Sequence, residues 1–158
     1  MAETILRSVL WLTLGGWIGA SFYFTLVVAL AAFRILPSHE MAGQVVGAVY
    51  TPLQLFGVGA GVVLAGVALA LRRSRWLLIH PLVLSALCFI SHFGITARLD
   101  ELRDGAFGSA PQAAASAEFG QLHGASMGIH SAVLLGAAWL LVLHVRADLR
   151  AGERREIS

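Results

Sequence analysis

Charge is what this sequence has least of. Of its 158 residues only 13% are Asp, Glu, Lys or Arg, while 58% are hydrophobic and the mean hydropathy is +0.78. A soluble globule of this size needs more polar surface than that, which excludes water as the only solvent. Cysteine is nearly absent too. Cys88 stands alone in an apolar run, which excludes an intramolecular disulfide and a cysteine metal cluster within one chain. A buried, inert thiol is the expectation for it. Lysine is missing altogether; all eleven basic residues are arginine, which reads as genomic composition bias and not as chemistry. There is no phosphate-cradling glycine loop, no H-E-x-x-H and no G-x-S-x-G on a strand-to-helix turn, so the common sequence signs of an enzyme are lacking.

What is there is four long windows with almost no charge. They run from Ser8 to Phe33, Val45 to Leu71, Trp76 to Ala97 and Phe119 to Val145. Each exceeds the roughly 20 residues that cross about 30 Å of hydrocarbon as a helix. Lipid offers the backbone no hydrogen bonds, and the windows lack the period-2 alternation of barrel strands, so helix is the expected conformation. The first window lacks the short apolar stretch and cleavage site of a signal peptide and is kept as a span. Arg34 and Pro37 end it; Arg72, Arg73 and Arg75 divide the second from the third; Arg98 to Asp104 close the third. Residues Gly105 to Ser116 are Ala-rich with no hydrophobic period and are expected to form the only long, mobile connection. Pro52 predicts a kink, whereas Pro81 is expected within the first turn of its helix, where it is harmless. Gly15 with Gly19, Gly43 with Gly47 and Gly57 with Gly61 are small-xxx-small pairs that let helix backbones approach closely. The fold class expected is all-α: an integral membrane four-helix bundle forming one domain over residues 1–158.

Eight arginines (Arg7, Arg72, Arg73, Arg75, Arg146, Arg150, Arg154, Arg155) fall on one side of the membrane against Arg34, Arg98 and Arg103 on the other. The positive-inside rule then places both the N and C termini in the cytoplasm. The net charge of +2 and pI near 9.3 are read as topology and not as a nucleic-acid face, because the arginines gather at the ends of apolar windows.

Histidine is the informative residue, since intramembrane ionisable groups are costly enough to be functional candidates by default. On the fourth helix His123, His130 and His144 are seven and fourteen residues apart, so at 100° per residue they fall within about 60° of one another. On the third, His80 and His92 are about 120° out of phase. Antiparallel packing sets His80 beside His144 near the inner surface, and His92 beside His123 and His130 in the outer half. Two layers of facing imidazoles are a pattern for haem b, with His92 and His130 as first ligands and His80 and His144 as second. The outer cluster offers a transition-metal site from His123, Glu118, Asp100 and Asp104, helped by Met127 and His39. Against both stands interhelical hydrogen bonding by His92 and His130 with Ser85, Ser91, Ser126 and Ser131. Thr25, Gln44, Thr51 and Gln54 either line a polar path or are satisfied structurally. The tryptophans suit interfacial and packing roles.

The stretch "GGWIGASFYFTLVVALAAFRILPSHEMAGQVVGAVYTPL" carries a glycine-rich first helix, an F-R-x-L-P turn and then A-G, at Phe33, Arg34, Leu36, Pro37, Ala42 and Gly43. The stretch "FGQLHGASMGIHSAVLL" carries F-x-x-L-H-x-x-S at Phe119, Leu122, His123 and Ser126. Together they resemble the bacterial transmembrane-protein-205-like family, domain of unknown function 4149. His130 departs from the resemblance, which leads one to expect an amide there. The resemblance implies a four-helix membrane protein and, through eukaryotic relatives linked to platinum-drug tolerance, transport or trafficking. The thiol motifs of those relatives have no counterpart in a chain with only Cys88. A looser likeness, of architecture alone, is to four-helix protoporphyrinogen oxidases that use haem.

The function expected is that of a small multi-pass protein of the bacterial cytoplasmic membrane, transporter-like or an accessory subunit. Its partners are the lipid bilayer and a second copy or a larger membrane complex; the alternative is a haem b redox protein. A reporter fused after Ser158 should be active only in the cytoplasm, and periplasmic activity would overturn the orientation.

Overall fold

A computed structural model describes residues 1–108 and 111–156. The described residues contain no strand. Four helices carry the fold: α1 (Ala2–Ile35), α2 (His39–Ala70), α3 (Arg75–Phe107) and α4 (Ala113–Glu156). Each is long and apolar enough to cross a membrane, so the chain is a membrane protein with an all-α, four-helix architecture. Contacts run α1 to α2, α2 to α3, α3 to α4 and α4 back to α1, which closes the helices into a ring.

Buried positions show why these four helices pack together. On α1 they are Leu10, Leu14, Trp17, Ser21 and Phe24. On α2 Gln54, Gly57, Gly61, Leu64 and Ala68 are buried, and on α3 Leu77, Pro81, Leu84, Cys88 and Ser91. On α4 Ser126, Val133, Ala137, Leu140 and His144 are buried. All four sets step by threes and fours or by their sum of seven, the seam of nearly aligned helices that supercoil left-handedly. The apolar part of the seam lies toward the end that carries both chain termini. It joins Leu10, Leu14 and Trp17 to Leu64, Leu84 and Leu140.

In lipid, packing of this kind depends on close approach and dispersion contacts, because the bilayer is as apolar as the helices. Of the three glycine pairs, only Gly57 and Gly61 act this way within the chain. A Cβ on Gly61 would come within 2.5 Å of the Pro81 carbonyl oxygen and 2.6 Å of Ser85 Cβ, and one on Gly57 within 2.7 Å of Cys88 Sγ. Gly43 and Gly47 instead make room for the Arg103 guanidinium, whose nitrogens lie 3.9 and 3.7 Å from where their Cβ atoms would stand. Gly15 and Gly19 face open space.

The connections are short. Ser38 caps α2 by accepting a hydrogen bond from Met41 N–H at 3.2 Å. Arg72 closes α2 with φ of 50°, and Arg73 N–H reaches back to the Ala68 carbonyl at 2.9 Å. The long mobile connection expected over 105–116 is not found in that form. Helix α3 continues to Phe107 and α4 starts at Ala113, with Gln112 N–H bonded to the Gly105 carbonyl and Ser116 Oγ to the Ala106 carbonyl. Alanine has no hydrophobic period, but it is the strongest helix former, and that preference decides the segment. Residues 109 and 110 lie outside the described residues. Pro52 sits on the exposed side of an unbroken α2, and Pro81 lies in the second turn of α3, not its first.

Gly61→Ala should lower the thermal unfolding temperature in detergent, at a cost of about 1–3 kcal/mol for forcing α2 from α3. Gly15→Ala should stay within about 0.5 kcal/mol of the parent. Equal behaviour of the two variants would contradict the packing described.

Candidate functional site

Beyond the apolar core, toward the end opposite the termini, the inward side chains turn polar. Ser21, Gln54, Ser91 and Ser126 are all buried there. In the same region two helices widen. Residues Phe24–Ala29 of α1 and Ser91–Thr96 of α3 form single π-type turns, whose hydrogen bonds span five residues. Each wide turn shifts the buried seam by one residue. The seam resumes at Ala32 after Phe24 and at Leu99 after Ser91, eight positions on in both cases, where a regular heptad would give seven.

The wide turn in α3 has a visible consequence. Gln54 Nε2 donates to Ser91 Oγ at 2.7 Å, and its Oε1 accepts from Thr96 Oγ1 at 3.2 Å. In a regular helix two residues five apart are about 140° out of phase and cannot face one neighbour. The wider turn brings both hydroxyls to the α2 side, and one carboxamide ties its two ends.

Across the bundle, the first wide turn meets α4. Thr25 Oγ1 lies 3.0 Å from His130 Nε2 and donates to the Ser21 carbonyl at 2.9 Å. A hydroxyl has one proton: with it on Ser21 the ring donates to Thr25 through Nε2, and in the other tautomer Nε2 accepts it from Thr25. Phe24 stacks on Tyr50 with ring centroids 5.2 Å apart, and the His130 ring stands edge-on to both at 5.5 and 5.4 Å. Between the Gln54 and His130 networks is a cavity of about 10 Å³ bounded by Trp17, Cys88 and Ile129, room for about one water.

The other histidines do not join this site. His80 Nε2 lies 3.1 Å from the Gly136 carbonyl. His144 is fully buried against the edge of Trp11, and neither ring nitrogen has a hydrogen-bond partner. His92 packs on Phe93. No hydrogen bond or ring contact joins His92 to His130 or His80 to His144. The small cavity beside His130 falls far below the roughly 300–1,000 Å³ of ordinary ligand pockets. These contacts give no support to the haem b alternative that the histidine spacing raised.

Three of the four outer metal candidates, all but Asp104, meet other groups. Glu118 pairs with Arg98 at 3.0 Å, Asp100 with Arg103 at 3.1 Å, and His123 stacks on Phe119. Among the described residues no three His, Cys, Asp or Glu come together as a metal site would need. His39 lies edge-on to Phe33, and Met127 is exposed. Gly124–Gly128 does spell G-x-S-x-G, but it lies in mid-α4 and not at a strand-to-helix turn, so Ser126 has no nucleophile elbow. Of the polar-path candidates, Thr25 and Gln54 belong to the site and Gln44 faces outward. Tyr50 and Thr96 belong to it without any sequence signal, because only the wide turns and the packing of Phe24 bring them in.

The family model described as Domain of unknown function (DUF4149) matches residues 12–107. The chain belongs to this family. The DUF4149 match takes in the two wide turns, Tyr50 and Gln54. Helix α4, with His130 and the F-x-x-L-H-x-x-S motif, lies outside the matched residues. No curated protein and no solved structure matches the chain.

Gln54→Leu removes both bonds across the α3 wide turn. Amide hydrogen exchange at Ser91–Thr96 should quicken, with a stability loss of roughly 0.5–2 kcal/mol. Unchanged exchange there would show that the turn does not depend on Gln54.

Proposed function

We propose that the protein is a non-enzymatic, transporter-like unit of a bacterial cytoplasmic membrane, with both termini in the cytoplasm. Its polar half exchanges a proton or a single water-sized solute. The observation that carries this reading is the pair of wide turns bordering the Gln54 and His130 networks. Irregular backbone at membrane depth is tolerated where it is buried in protein or lines a cavity, and π-type turns occur frequently at functional sites.

Size supports the choice of solute. A cavity for one water admits nothing larger unless the helices part. His130 Nε2 and the Thr25 hydroxyl lie 3.0 Å apart and share a proton in either tautomer, the behaviour of a proton relay. In this conformation the apolar core from Leu10 to Leu140 closes the site to the terminal end, and passage across the membrane requires that closure to open. Access is then from the opposite end, which the arginine count places outside the cell. Four helices enclose little volume, and α1 turns Gly15 and Gly19 to open space, so a second copy or a larger membrane complex packs on α1.

Pyranine-loaded proteoliposomes containing the purified chain should acidify under an inside-negative potential faster than empty vesicles. His130→Ala should bring the rate to the empty-vesicle level, and His39→Ala, at an exposed position, should not. A parent rate equal to that of empty vesicles would sink the proposal. A Soret band in the same preparation would move the assignment to a haem redox protein.

A further inference from the structure

At the terminal end, on the outside of the bundle, the start of α3 and the last turns of α4 border an open groove of about 390 Å³. Its chemistry changes along its length. Leu77 and Leu143 make an apolar floor, Trp76 and Trp139 stand at the sides, and Arg146 and Arg150 lie at the mouth. On α4, Trp139, Arg146 and Arg150 are seven and four residues apart, so they share one face over roughly 16 Å. The Arg146 guanidinium lies 5.7 Å from the Trp139 ring centre, and Arg75 stands over Trp76 at the same distance. These stackings hold the cations beside the groove.

Arg7 and Arg73, at the same end, meet Asp148. Among the described residues Arg146 and Arg150 have no carboxylate partner. Ser74, at the start of α3, also lines the groove, and its hydroxyl makes no capping bond to the helix. Two unpaired guanidiniums and a free hydroxyl over an apolar floor with tryptophan sides form a receptor for a phosphate carrying hydrocarbon. Tryptophan marks the headgroup boundary, guanidinium takes the phosphate, and the floor takes the first acyl carbons.

We infer that this groove binds an anionic phospholipid. A zwitterionic lipid brings an ammonium group that competes with the two arginines, whereas an anionic phosphate diester leaves its full charge to them. Basic pockets between membrane helices bind such headgroups by this physics. The site is separate from the polar half of the bundle and does not rest on the transport proposal.

Native mass spectrometry of the full chain, released from detergent, tests the assignment with phosphatidylglycerol, phosphatidylcholine of the same acyl chains, and inorganic phosphate as probes. Phosphatidylglycerol should bind in preference to phosphatidylcholine, with no retained adduct from phosphate alone. The double variant Arg146→Gln, Arg150→Gln should weaken phosphatidylglycerol binding roughly 30-fold, about five-fold per guanidinium. Trp139→Leu should weaken both lipids, and Arg34→Gln, at the opposite end, neither. Equal binding of the two lipids, unchanged binding by the double variant, or retention of phosphate as strong as that of phosphatidylglycerol would each overturn the inference.

Discussion

Inside the hydrocarbon there is no water to complete a hydrogen bond, and a polar group that finds no partner within the protein is costly. Gln54 shows how the bundle meets that constraint. Its carboxamide donates to Ser91 and accepts from Thr96, so one buried side chain satisfies two hydroxyls and bridges α2 to α3. The geometry exists only because α3 is wide there. The wide turn moves the seam on by one residue, and Leu99 and Ala106 then fall on the inner face. The far half of α3 is thus aligned with its neighbours through the turn that Gln54 spans.

The bundle divides into two halves with different chemistry. Toward the termini it is dry, with Leu14, Leu64 and Leu140 wholly buried and Gly57 and Gly61 allowing α2 to lie against α3. Toward the opposite end it is hydrogen-bonded, with His130, Ser21, Gln54 and Ser91 around a space for one water. Close backbone approach suits the first half, where dispersion between apolar faces is joined by the Ser85 hydroxyl donating to the Val58 carbonyl at 2.8 Å. Widened backbone suits the second, where side chains must turn to reach one another.

The four helices were legible because a span is set by length and hydropathy, which a sequence displays directly. Gly57 and Gly61 were legible as a spacing, although nothing in the spacing separated them from Gly15 and Gly19, which meet no neighbour. The site was harder to read for a definite reason. Projection at 100° per residue assumes a regular helix, and His92 lies inside the second wide turn, so its phase relative to His80 does not follow from counting. On α4, which is regular throughout, His144 and the seam from Ser126 to Leu140 do lie on one buried face. The acidic residues near His123 looked like ligands because a sequence does not show that Arg98 and Arg103 reach them first.

The ion pairs at the terminal end bear on the order in which the molecule is assembled. Asp148, near the end of α4, meets Arg7 near the start of α1 and Arg73 in the turn between α2 and α3. A ribosome makes these three residues in the order 7, 73, 148, so these ion pairs cannot close the ring until synthesis has passed Asp148. Before then the Leu10, Leu14 and Trp17 face of α1 has no α4 to cover it, and lipid or an insertion partner occupies that place. Closure therefore waits for α4, and a chain that stops before Ala113 leaves three helices in the membrane with the circle open.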